Sequence, residues 1–108
     1  MAQTARTDFP DRADWSLIPE HMRGGVERWV MNGIVPGLFL TAVLRNDLKE
    51  AFATADDINS RRMRDYVQFF WSHAPSACWG SPDAVSEWTQ RGGLTGRDRD
   101  RDAAEDAA

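Results

Sequence analysis

Cys78 and His73 stand five residues apart across a proline-containing loop, near enough in the chain to form a thiol–imidazole pair. Such a nucleophilic site also needs an acid to orient the base, and no recognised motif surrounds the pair. The alternative is a buried structural thiol and a histidine that ends a helix, where it suits the negative end of the dipole. P-loop, HExxH and GxGxxG patterns are absent, and Gly33-Ile34-Val35-Pro36-Gly37 has a bulky apolar interior unlike a phosphate-cradling loop. Cys78, His21 and His73 are the only soft ligands, too few for a zinc cluster. The expectation is therefore no catalytic residue, no metal and no cofactor.

Binding chemistry has better candidates. Asn46, Asp47 and Asn59 fall within or beside apolar helical faces, where an unpaired polar group costs about 1–3 kcal/mol. They either form a helix–helix hydrogen-bond network or point into a pocket that recognises polar atoms of a small molecule. Arg61, Arg62 and Arg64 could hold a phosphate or carboxylate, or form a solvated face balanced by Asp56, Asp57 and Asp65. Trp79, in Ala77-Cys78-Trp79-Gly80-Ser81, either stacks on a ligand ring or plugs the underside of the core. With Pro36 and Gly37 at the entry to a helix, these nine residues make the candidate ligand site. The expected occupant is a small anionic or nucleotide-like molecule. The rival is a protein partner. Three arginines in a near-neutral core make a poor footprint for duplex DNA.

These side chains must be positioned by helices. Pro19 and Gly33 bracket a first helix, in which Met22, Val26, Trp29 and Val30 recur at helical spacing. Gly24 and Gly25 within it suggest close approach of another backbone, or a break. A second helix is expected from Leu38 to about Ala53, with one stripe of Leu40, Leu44, Leu48, Ala51 and Phe52 and a second patch of Phe39 and Val43. Thr54 or Asp56 caps a third, from about Asp57 to Ser72, whose stripe is Met63, Tyr66, Val67, Phe70 and Trp71. Ala74-Pro75 ends it. Ser81-Pro82-Asp83 starts a short last helix that stops at Gly92-Gly93. No segment alternates with period two, so the fold class is all-α: a compact bundle of three main helices and one short C-terminal helix.

The 108 residues suffice for one small domain. Residues 1–17 read as a flexible N-terminal segment and 18–94 as the helical domain. Residues 95–108 carry alternating charges and no large apolar side chain, and read as a disordered tail. No run approaches the roughly 20 apolar residues of a membrane span, and the first ten lack the apolar stretch of a secretory signal. With a lone cysteine, a reducing cytoplasmic address is expected. Trp29, Trp71 and Trp88 occupy inward positions, whereas Trp15 and Trp79 lie outside the helices and read as exposed. Five tryptophans on so small a core point to a homo-oligomer.

The run Gly33-Ile34-Val35-Pro36-Gly37-Leu38-Phe39-Leu40-Thr41-Ala42-Val43-Leu44-Arg45-Asn46-Asp47-Leu48-Lys49-Glu50-Ala51-Phe52, followed by Ala55-Asp56, has company on either side. Ile18-Pro19-Glu20-His21-Met22-Arg23 precedes it and Cys78-Trp79-Gly80-Ser81 follows. Over residues 18–94 the chain resembles small proteins encoded in phages and prophages. That resemblance implies an accessory protein that counteracts a host defence system, by sequestering a nucleotide signal or by occluding a host protein surface.

Overall fold

The computed structural model describes residues 9–96. Among them every regular element is helical: α1 (Arg23–Asn32), α2 (Leu38–Leu44), α3 (Leu48–Thr54), α4 (Asp57–Arg61), α5 (Met63–His73) and α6 (Pro82–Arg91). Short 3-10 turns at Trp15–Leu17, Glu20–Met22 and Ser76–Cys78 connect them. A further helical turn covers 93–96, so the chain re-enters a helix after Gly92 and the expected tail is helical over its first two residues. The fold is all-α, with more and shorter helices than the sequence suggests.

Each discrepancy has a local cause. Pro19 is extended and precedes a 3-10 turn, so the first α-helix begins four residues later, at Arg23. The expected second helix breaks at Asn46, which takes a left-handed conformation (φ 62°). Its N–H donates to the Val43 carbonyl (3.1 Å) and that of Asp47 to the Ala42 carbonyl (2.9 Å). This is the hydrogen-bond pattern of a Schellman stop with asparagine in place of glycine. Asp47 then caps α3 by accepting from the Glu50 N–H (3.2 Å). The expected third helix divides at Arg62, whose guanidinium donates to the Ser16 carbonyl (2.7 Å) and to Asp65. No breaker residue stands there, and the break coincides with a contact from a distant part of the chain. The last helix, with Ser81 as cap and Pro82 in its first turn, is as long as α1 rather than short.

The breaks redistribute the apolar faces. Leu48 and Phe52 leave the stripe of Leu40 and Leu44 and are exposed, and Val67 and Trp71 turn outward while Tyr66, Phe69 and Phe70 are buried. The core is built from Trp29, Val26 and Val30 of α1, Phe39, Leu40 and Leu44 of α2, the three rings of α5, and Val85 and Trp88 of α6. Residues 9–17, within the segment read as flexible, lie against α5. Phe9 is buried there, and the Trp15 ring sits 5.0 Å from that of Phe69. Of the tail expected at 95–108, residues 97–108 lie outside the described residues.

Two indoles tie α1 to α6 and to the turn after α5. Trp29 Nε1 donates to the Cys78 carbonyl (3.0 Å), and Trp88 Nε1 donates to the Trp29 carbonyl (3.0 Å). Beside them the C-terminal ends of α1 and α6 meet backbone to backbone. A Cβ on Gly93 (φ 70°) would lie 2.6 Å from the backbone nitrogens of Asn32 and Gly33, and one on Gly33 (φ 69°) 2.8 Å from the Trp88 carbonyl oxygen. The close approach is thus here and not at Gly24-Gly25. Those two sit in an unbroken helix and face only the Arg28 side chain. Gly93→Ala should therefore cost more than about 3 kcal/mol and lower the melting temperature by roughly 10 °C or more. Gly24→Ala, where only the end of the Arg28 side chain must shift, should raise stability by up to about 1 kcal/mol. Thermal melts of the two variants followed by circular dichroism compare them directly.

Candidate functional site

The α2–α3 junction forms one wall of a cleft. Because Asn46 is left-handed and Asp47 caps the next helix, both side chains are exposed instead of entering an apolar face as expected. Opposite, α5 presents Met63, Val67 and Trp71. The floor contains Ala42, Val43 and Ala51, and Trp79 with Gly80 closes one end. The open cleft has a volume of about 410 Å³, within the range of small-molecule sites. The end wall is fixed by the Gly80 N–H, which donates to the Leu44 carbonyl (2.7 Å), and by Trp79, whose ring packs 5.6 Å from Phe70. Trp79 is half-buried rather than exposed, and so is Trp15.

Three of the nine nominated residues, Asn46, Asp47 and Trp79, therefore share one cleft. The other six are elsewhere. The Pro36 carbonyl accepts from the Thr41 hydroxyl (3.1 Å), and Gly37 is the N-cap of α2. Asn59 is buried at 3 % exposure and its amide oxygen accepts from the Tyr66 hydroxyl (2.7 Å), so it takes part in a helix–helix hydrogen bond. Burial pushes the Tyr66 phenol up, which keeps that donor protonated. Arg62 is engaged by Ser16 and Asp65 and borders a shallower hollow with Pro19, Glu20, His21 and Ile58. Arg61 and Arg64 are exposed, at the end of α4 and the start of α5. The break at Arg62 places Arg61 in a last turn, where a cation suits the dipole, not in the first half of a long helix.

No arginine or lysine lines the cleft, whose lining is apolar apart from Asn46, Asp47 and Ser76. Arg45 and Lys49 are exposed on either side of the Asn46–Leu48 segment in the chain. The sequence reading missed Trp71, which is 50 % exposed at the rim although placed in the core by its spacing. Aromatic and aliphatic residues at 66, 67, 69, 70 and 71 surround most of α5, so periodicity could not choose the inward side. The spacing of Asn46-Asp47 was the better signal. An Asn-Asp pair suits the end of one helix and the cap of the next.

At the neighbouring Asp56, the backbone N–H of Asn59 and the side chain of His21 (3.2 Å) hold the carboxyl below its usual range. Cys78 is fully buried, and desolvation pushes its thiol up to about 12, which keeps it protonated at neutral pH. Its neighbour in the proposed pair, His73, packs on Phe69 at 5.6 Å. Among the described residues no cluster of three or more His, Cys, Asp or Glu is placed to hold a metal ion. No described helix is long and apolar enough to cross a membrane. No family model matches the chain, and neither a curated protein nor a solved structure is detectably similar to it.

Two outcomes follow from these environments. Asn59→Leu should destabilise by about 1–3 kcal/mol because the Tyr66 hydroxyl loses its acceptor, and adding Tyr66→Phe should recover part of the loss in denaturant titrations. Cys78 should resist a thiol reagent at pH 8 in the native protein and react at once in guanidinium, as read by mass spectrometry.

Proposed function

We propose that the chain is a non-catalytic, phage-type accessory protein that captures a nucleotide-like ligand by its base in the α2–α3–α5 cleft and withholds it from a host defence system in the host cytoplasm. The observation that carries this reading is the meeting of Asn46, Asp47, Trp71 and Trp79 around one cavity of about 410 Å³. Indoles supply stacking surface, worth about 1–3 kcal/mol per base. The Asn46 amide offers a donor and an acceptor. Asp47 has one carboxylate oxygen on the α3 cap, and its second oxygen can accept from a ring or exocyclic N–H. With no cation in the lining, phosphates would lie at the mouth, in reach of groups such as Arg45 and Lys49 that flank the junction. The resemblance of residues 18–94 to phage-encoded proteins supplies the biological setting.

A second reading is occlusion of a host protein surface. It is favoured by the apolar rim of Leu48, Val67 and Trp71, which a protein partner would bury.

Thermal denaturation of the full chain with nucleosides, nucleotides and cyclic dinucleotides separates the two. A true ligand at about 100 times its dissociation constant should add about 2.7 kcal/mol of stability. Asn46→Gly should leave the unliganded melt unchanged or slightly higher, since glycine accepts the left-handed backbone, and weaken the ligand about tenfold or more. Trp71→Ala, at an exposed position, should do the same. An unshifted melt across the panel at millimolar ligand would overturn the nucleotide reading.

A further inference from the structure

We infer that the cleft selects guanine, and that Asp47 makes the selection by accepting from the ring N1–H and the exocyclic N2 amine of that base. The inference rests on the proposed base site and names the base. Besides the two indoles, the side chains of Asn46, Asp47 and Ser76 bring polar groups to the lining. The Ser76 hydroxyl can donate or accept, and the Asn46 amide can turn either end to a ligand, so neither excludes a base edge. An indole that stacks on a base by its face directs its in-plane N–H away from that base's edge. Asp47 differs, because a carboxylate only accepts. Among the described residues no ion pair engages it. Its Oδ1 receives the Glu50 N–H at 3.2 Å, which leaves that oxygen a second lone pair and leaves Oδ2 open to a ligand. The main-chain donors beside it are spent: the N–H groups of Asn46 and Asp47 close the turn on Val43 and Ala42, and that of Gly80 goes to Leu44. With no arginine or lysine in the lining, this pair of carboxylate oxygens needs its donors from the ligand.

The pairing edges of the bases differ in what they offer such a pair. Adenine and cytosine each place a ring-nitrogen acceptor beside one exocyclic amine, so a carboxylate there meets one N–H and one lone pair. Uracil flanks its single ring N–H with two carbonyl oxygens. Guanine alone of the four sets two donors side by side, N1–H and the N2 amine, with O6 beyond them as an acceptor. Two parallel N–H···O bonds then match the two carboxylate oxygens, in the manner of the bidentate pairs that carboxylates form with guanidinium. The Asn46 amide, on the adjacent residue, can donate to O6. Rejection of the other bases comes from the same group. Held against a ring nitrogen or a carbonyl oxygen, the carboxylate loses water without a replacement, and the apolar walls of Ala51, Val67 and Trp71 offer it none.

Isothermal titration calorimetry of the full chain tests this, with the monophosphates of guanosine, inosine, adenosine and cytidine and with the cyclic dinucleotides of guanine and of adenine. The guanine member of each class should bind about tenfold tighter, or more, than its adenine counterpart. Inosine monophosphate keeps N1–H and O6 but lacks the N2 amine, and should bind about tenfold more weakly than guanosine monophosphate. Asp47→Asn retains a capping oxygen for α3, so its melt should match that of the parent protein. Its preference for guanine over adenine should fall to about threefold or less, because the amide can also donate to a ring nitrogen. Equal affinity for guanine and adenine, or for the guanosine and inosine monophosphates, overturns the inference and leaves the base site standing. A guanine preference that survives Asp47→Asn overturns the assignment to Asp47. A chain that binds no member of the set loses the inference together with the nucleotide reading.

Discussion

The backbone contact between the ends of α1 and α6 constrains the rest of the molecule. Gly33 and Gly93 let the two helices approach until no Cβ fits, and the Trp88 indole donates across the contact to the Trp29 carbonyl. Trp29 in turn donates to the Cys78 carbonyl, so one chain of hydrogen bonds runs from α6 through α1 to the loop after α5. Both indoles are buried to within 1 % of completeness. Truncating either would remove about 3–5 kcal/mol of packing and leave a buried carbonyl short of its donor. A small single domain has little stability beyond that.

The cleft depends on this framework at one remove. Once Cys78 is fixed by Trp29, the next residues run along the end of α2, where the Gly80 N–H satisfies the Leu44 carbonyl. That bond sets Trp79 as the end wall. One side wall is set locally, by the asparagine stop and aspartate cap that turn α2 into α3. A long-range scaffold and a three-residue turn thus define an end and a side of the same cavity. The exposed α5 rim, with Val67 and Trp71, supplies the apolar surface facing that turn.

Much of the fold was legible where short-range chemistry decides it. Gly33 as left-handed stop, Asp56 and Ser81 as caps, Pro82 in a first turn and Gly92 as stop were all readable from residue type and order. Asn59 also read correctly as a polar group in an apolar setting, though only the fold reveals Tyr66 as its partner. Legibility failed where tertiary contacts choose. Nothing in Ser60-Arg61-Arg62-Met63 announces a helix break, and the Ser16 carbonyl that Arg62 meets there is 46 residues away. On α5 the apolar residues surround the helix too broadly for spacing to single out Trp71 as outward. The nominated arginines and the Pro36-Gly37 turn were grouped with the cleft by chemical type, and chemical type carries no information about distance.

The indole ladder also distributes tolerance to change unevenly along the chain. Trp29 and Trp88 act as donors through their rings, a role that no aliphatic side chain can replace. Their acceptors are peptide oxygens, which every residue possesses. At Cys78 the long-range bond is made by the main chain, so selection there would act on volume and apolarity rather than on sulfur chemistry. Among descendants of this sequence the fold would thus permit alanine or valine at 78 far more readily than any replacement at 29. The persistence of a cysteine at 78 would then be a matter of history or of fit, with no reactivity required to explain it.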